Sequence, residues 1–175
     1  MNTKALRNLS YGVYIISAWD KGRPVGCVAN SVMQITSSPA TIMLSVNHDN
    51  YTNKCINDCG YFSISILSET SQPSLIGKFG YRSSKDTNKF EDTKYLIKSS
   101  VPVIEDAMGF LVCKVVDKME TKTHTVFLGE LIDADTLKDE QAMTYWYYHN
   151  VIKGKSPKNA PNYIPDEDAD KRADK

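Results

Sequence analysis

Turn-forming residues punctuate the first two-thirds of the chain at intervals too short for long helices. Between them lie runs rich in β-branched and aromatic residues. Tyr11 to Trp19 (YGVYIISAW) is followed by the turn Asp20-Lys21-Gly22. Pro24 to Thr36 (PVGCVANSVMQIT) reads as one long strand with a bulge or exposed stretch at Asn30-Ser31, ended by Ser37-Ser38-Pro39. Ala40 to Asn47 (ATIMLSVN) is apolar on both faces near its middle, which predicts a buried strand. Such spacing predicts a β-rich architecture.

Helices are few. The pattern predicts a short helix over Asn50 to Cys59, closed by Gly60, and a second over Ser71 to Phe79 with Pro73 in its first turn. Between them Phe62, Ile64 and Ile66 alternate with serines, a half-buried strand. Gly80 to Lys89 reads as a polar, basic loop. Two long strands follow, Met108 to Thr121 and Thr123 to Ala134. Seven or so strands with two or three short helices predict a mainly β fold, a barrel or sandwich with peripheral helices. Residues 1–165 form one domain in this reading. Lys153 to Pro165 is an extended arm, and residues 166–175 are a polar tail expected to be disordered.

Composition removes several function classes. Lys+Arg and Asp+Glu are 21 each, so the basic excess of a phosphate-neutralising nucleic-acid binder is absent. No apolar run approaches the ~18 residues of a spanning helix, and the start lacks a secretory core, which predicts a cytoplasmic protein away from membranes. Cys27, Cys55, Cys59 and Cys113 are too few and too irregular for a disulfide framework, and are expected as thiols.

Familiar cofactor motifs are missing. There is no G-x-G-x-x-G between strand and helix. Gly154-Lys155-Ser156 ends like a P-loop, but His149 stands where its first glycine belongs. Cys55 and Cys59 share a helix face with His48 nearby. Without further ligands they read as small buried hydrophobes, and no metal site is expected.

Four ordered segments carry a resemblance. Ala29-Asn30-Ser31 leads to Ile35-Thr36-Ser37-Ser38-Pro39. Leu44-Ser45-Val46-Asn47 leads to Asn50-Tyr51-Thr52 and Gly60-Tyr61-Phe62. Lys78-Phe79-Gly80-Tyr81-Arg82-Ser83 precedes Lys89-Phe90, and His124-Thr125 precedes Phe127-Leu128-Gly129-Glu130. Over roughly residues 5 to 165 the chain resembles the flavin reductase-like family of FMN-binding split barrels. The likeness is strongest to flavoredoxins and to the flavin domain of high-molecular-weight rubredoxins. Asn88 stands where those relatives often carry an acid before the Lys-Phe pair.

The resemblance implies non-covalent FMN, NAD(P)H as electron donor, a homodimer, and a rubredoxin or iron–sulfur protein as a possible electron partner. FMN asks for donors and positive charge at its phosphate and an apolar slot for its ring. The first is met by Ser45, Asn47, Asn50 and Thr52 around a helix N-terminus, with Arg82, Ser83 and Lys89 beyond it, and the resemblance adds Val46 and Phe79 as cofactor-binding residues. The ring edge falls to Asn30, Ser31, Val32, Met33, Gln34, Ile35 and Thr36. His124 is the candidate catalytic residue, facing the approach of nicotinamide or partner, and Tyr163 the aromatic that covers the flavin. The aromatics Tyr145 to Tyr148 read as packing rather than cofactor stacking. The implied function is an FMN-dependent oxidoreductase. Its rivals are a flavoredoxin-type carrier without NAD(P)H activity, a non-catalytic flavin-binding module, and a pyridoxamine-phosphate-oxidase-like enzyme.

Overall fold

The computed structural model describes residues 3–163. The expected tail lies outside them. A 3₁₀ turn over Thr3–Asn8 precedes a seven-stranded antiparallel sheet. Its strands are β1 (Tyr14–Asp20), β2 (Arg23–Ala29), β3 (Val32–Ser37), β4 (Ala40–Asn47), β5 (Tyr61–Ile66), β8 (Gly109–Glu120) and β9 (His124–Thr136). A separate hairpin pairs β6 (Tyr95–Lys98) with β7 (Val101–Ile104). The helices are α1 (Tyr51–Cys59), α2 (Pro73–Tyr81) and α3 (Tyr145–Asn150). No described helix is long and apolar enough to cross a membrane.

The strand order is β2-β1-β5-β8-β9-β4-β3, so the two edge strands are consecutive in the chain. Laid flat, six inter-strand steps of ~4.8 Å would separate those edges by roughly 29 Å. The link Asn30-Ser31 can span only about 10 Å. The sheet must therefore curl until its edges meet, and a barrel results. The closure is incomplete, with β2 and β3 left unpaired, and the β3–β4 pairing runs up to the seam, where the Ser45 N–H donates to the Ser31 carbonyl at 3.0 Å.

The expected long strand over Pro24–Thr36 is thus two strands. Its pattern runs on through Asn30-Ser31, but the chain changes sheet edge there. The hairpin β6–β7 was not foreseen at all, because four-residue strands offer too short a window for periodicity. Elsewhere local chemistry acts as its sequence predicts. Lys21 (φ 49°) and Gly22 (φ 88°) form the two-residue turn between the paired residues Asp20 and Arg23. Two positive φ values are what a type I′ hairpin turn requires. Gly60, at φ 73°, closes α1 in the left-handed region.

Two apolar clusters explain why β1 is apolar on both faces. Ile16 and Ala18 point into the barrel with Val25, Leu44, Phe62, Ile64 and Phe127, where α1 adds Cys55 and Ile56. Val13 and Ile15 point outward, under Leu75, Ile76 and Phe79 of α2 and Tyr148 of α3. The cleft described next lies where these two clusters approach the seam.

Candidate flavin site

Asn30 lies at the seam and is 4% exposed. Its Oδ1 accepts from the Ser31 hydroxyl at 3.1 Å. That bond fixes the amide plane and leaves Nδ2 buried without a partner. A buried unsatisfied donor costs about 1–3 kcal/mol, so this amide is poised for an acceptor that the protein itself does not supply.

Around it the chain builds a cleft. One wall is β2, through Cys27, Val28 and Ala29. The opposite rim is the end of β4 with Ser45, Val46, Asn47 and then Asn50. Val13, Ile76, Phe79 and Gly80 form an apolar floor. Tyr145 and Tyr148 of α3, and the arm residues Lys155, Pro157, Asn159, Ala160 and Pro161, close over it. With the arm closed over it the cleft is narrow, with a cavity of about 40 Å³ between its walls, and it opens in part to solvent.

Asn50 caps α1 by position only, without a side-chain hydrogen bond to the helix. The positive end of α1 therefore faces the cleft rim with free N–H groups. Thr52, in the first turn, is fully buried and its hydroxyl has no hydrogen-bond partner of normal geometry. The Cys27 thiol is its neighbour, and burial pushes that thiol's pKa up.

Six of the expected residues line the cleft: Asn30, Ser45, Val46, Asn47, Asn50 and Phe79. Others lie elsewhere. Val32 sits opposite Leu44, while Met33 and Ile35 are 53% and 45% exposed on the edge strand. Gln34 donates to the Thr36 carbonyl, and the Thr36 hydroxyl lies 2.6 Å from that of Thr41, at the far end of the β3–β4 hairpin. Arg82 and Ser83 are exposed just past the cleft-lining Tyr81, and the Ser83 hydroxyl accepts from the Lys85 N–H. Lys89 is 2% exposed and outside the lining, with its ammonium held by the carbonyls of Gly26 (2.8 Å) and Phe79 (3.0 Å). Asn88, at the position where an acid was expected, accepts from the Phe90 N–H at 3.2 Å.

His124 begins β9 opposite Asn47 and packs against the backbone of Asn159 in the arm. Its Nδ1 lies 2.8 Å from the Thr123 hydroxyl, and its buried Nε2 has no hydrogen-bond partner of normal geometry. Desolvation lowers its pKa, which favours the neutral ring at pH 7. Tyr163 is half-buried, its N–H donating to Ala160.

Sequence reasoning missed the arm's anchorage. The hydroxyls of Tyr81 and Tyr148 both donate to the Lys155 carbonyl, at 2.6 and 3.2 Å. Tyr145 is 2.5 Å from the Ser156 hydroxyl and donates to Asn162 at 3.1 Å. His149 Nδ1 lies 2.8 Å from the Gly154 carbonyl. The signal was the spacing of Tyr145 and Tyr148, which puts both on one helix face. They serve packing and cleft lining together.

Comparison with known proteins agrees with this geometry. Residues 6–155 match the family described as flavin reductase like domain. The chain is 38% identical over 166 residues to a ferric-chelate reductase (NAD(P)H) of Archaeoglobus fulgidus, covering 94% of this chain and 98% of that one. It is 40% identical over 175 residues to a high molecular weight rubredoxin of Moorella thermoacetica, covering 99% and 76%. A solved flavoredoxin from Methanosarcina acetivorans superposes with a TM-score of 0.69 at 23% identity, over 73% and 69% of the two chains. The curled antiparallel sheet, the seam cleft and the family match give one conclusion: this chain belongs to the flavin reductase-like family.

Proposed function

We propose that the seam cleft holds one FMN and that the protein passes electrons from NAD(P)H through it to an acceptor. The observation that carries this reading is the buried, unpartnered amide of Asn30, whose Nδ2 lies in a mostly apolar cleft with a polar rim. A flavin needs that combination: apolar walls for the ring and a few fixed polar contacts. The cofactor supplies hydride and electron chemistry. The chain's residues bind it, orient it and exclude water.

Asn30 donates to the polar edge of the ring, at the start of the Ser31–Thr36 segment. Asn50 and the N-terminus of α1 receive the phosphate, with Ser45 and Asn47 on the same rim and Thr52 buried behind it in the first turn of the helix. Arg82 and Ser83 add charge and a hydroxyl beyond Tyr81. Phe79, Tyr145 and Tyr148 give the apolar wall. His124, neutral and next to the arm, borders the approach of the nicotinamide, and Tyr163 belongs to the arm that covers the site.

The relatives named for ferric-chelate reduction and for rubredoxin point to ferric chelates or a rubredoxin-type protein as electron acceptors. A homodimer fits the outer face of the barrel. Met33, Met43 and Leu128 pair across β3, β4 and β9, and Val126 and Met119 follow on the same face. Met33 and Met119 are 53% and 60% exposed. Asp117, opposite Leu128, borders this patch, and an apolar patch rimmed by charge is what a two-fold contact buries.

The test is the visible spectrum of the purified protein, followed by anaerobic NADH or NADPH. A flavin spectrum that bleaches supports cofactor and activity together. A flavin spectrum that persists with both donors leaves an electron carrier. A colourless protein that does not take up added FMN overturns the reading.

A further inference from the structure

Lys89 is a buried cation with no counter-ion. Its Nζ is 2.8 Å from the Gly26 carbonyl and 3.0 Å from that of Phe79, and 5.6 Å from the centre of the Phe79 ring. Among the described residues it makes no ion pair. The one ionisable side chain whose charge bears on it is Cys27, a buried thiol that burial keeps protonated. Burial lowers the Lys89 pKa to about 8, so the ammonium keeps its proton at pH 7. Two carbonyls and a ring face offset only part of the cost of burying a charge. A protein that bears such a cost gains from it when an anion arrives nearby.

The position says where that anion would be. Phe79, whose carbonyl and ring hold the ammonium, lines the cleft, and so does Cys27, next to Gly26. The charge therefore sits one side chain behind the cleft surface, screened from solvent, where its field is weakened far less than in water.

We propose that Lys89 sets the reduction potential of the bound flavin, by stabilising the negative charge that the ring gains on reduction. This rests on the FMN reading above. In the reduction step a hydride leaves the nicotinamide, and its electron pair becomes the N–H bond at flavin N5. NAD(P)⁺ departs and the ring carries one added negative charge. The field of Lys89 favours that anionic ring over the neutral oxidised one. The phosphate has the same charge before and after, so an ammonium serving only the phosphate would favour both forms equally.

The discriminating experiment uses the FMN-loaded protein and its Lys89→Gln variant. Glutamine keeps an NH₂ group for the two carbonyls and removes the charge. Oxidised FMN affinity comes from fluorescence titration, and the midpoint potential from spectroelectrochemistry. The expected result is at least a tenfold greater loss of affinity for reduced than for oxidised flavin. That reads as a potential lowered by about 30 mV or more, since tenfold is 29.6 mV for a two-electron couple. Equal losses for both forms with an unchanged potential would overturn the proposal and assign the charge to phosphate or fold. Should the variant not fold, sulfite titration of the wild-type holoprotein reads the same property, because sulfite adds to N5 and leaves an anionic ring. Affinity for sulfite no better than that of free FMN would overturn it too. A protein that binds no flavin at all fails at the earlier reading, and this one falls with it.

Discussion

Gly154 lies against the ring of Tyr148 so closely that a Cβ at position 154 would come within 2.0 Å of Tyr148 Cζ. The same tyrosine donates its hydroxyl to the Lys155 carbonyl. One contact thus fixes both where the arm leaves α3 and how it crosses the cleft.

Gly154→Ala is accordingly expected to lift the arm off the cleft. FMN release should quicken by about tenfold, equivalent to roughly 1.4 kcal/mol. Stopped-flow fluorescence of FMN dissociation measures this, and an unchanged rate would show that the arm does not retain the cofactor.

Asn30→Leu separates binding from folding. The substitution removes the orphan donor and also the acceptor of the Ser31 hydroxyl; that hydroxyl is only part-buried and can turn to water, so the urea midpoint of the apoprotein should hold or rise. Losing one hydrogen bond to the ring should raise the FMN Kd by up to about tenfold, from a net bond of ~0.5–1.5 kcal/mol. A fall in apoprotein stability with unaltered FMN affinity would make Asn30 a purely structural residue.

The outer face makes a prediction about assembly. Met33→Glu places two like charges near a two-fold contact on an apolar face, and the expected outcome is monomer by light scattering. If wild type is itself monomeric at micromolar concentration, the homodimer is wrong.

Lys89 also gives the fold a pH signature. Its pKa is held near 8 in the fold, against an ordinary 10.5. Between those values the unfolded chain keeps a proton that the fold has lost, so this group's contribution to stability rises with pH. Below pH 8 both states are protonated and the contribution is constant and at its least favourable. Buried acids oppose it above about pH 9: Cys55 is pushed up to about 11 and Cys113 to about 12, so the unfolded chain loses those protons first. The lysine's share is isolated by subtracting the urea stability of apo Lys89→Gln from that of apo wild type. This difference should move toward wild type from pH 7 to 9.5, and a constant difference would mean an unperturbed lysine.

Much of the architecture was legible because its causes are local. The turn at Lys21-Gly22 follows from turn chemistry. The strand Tyr61–Ile66 follows from its alternation, and α1 from its periodicity and Gly60. The hairpin β6–β7 was not legible, since its strands have four residues each and β7 is held by packing on β1 and β5 rather than by its own pattern.

The site divides the same way. Sequence alone determined the β-rich class, the ordered segments of the family and the rim Ser45-Val46-Asn47-Asn50, where a strand end meets a helix start. Tertiary structure decided that Asn30 is a seam, that Tyr148 and the arm close the cleft, and that Lys89 points inward. The reason is physical. Turns, caps and periodicity depend on residues a few positions apart. Burial of an ammonium beside Gly26, 63 positions away, depends on free energies summed over contacts that exist only once the sheet has closed.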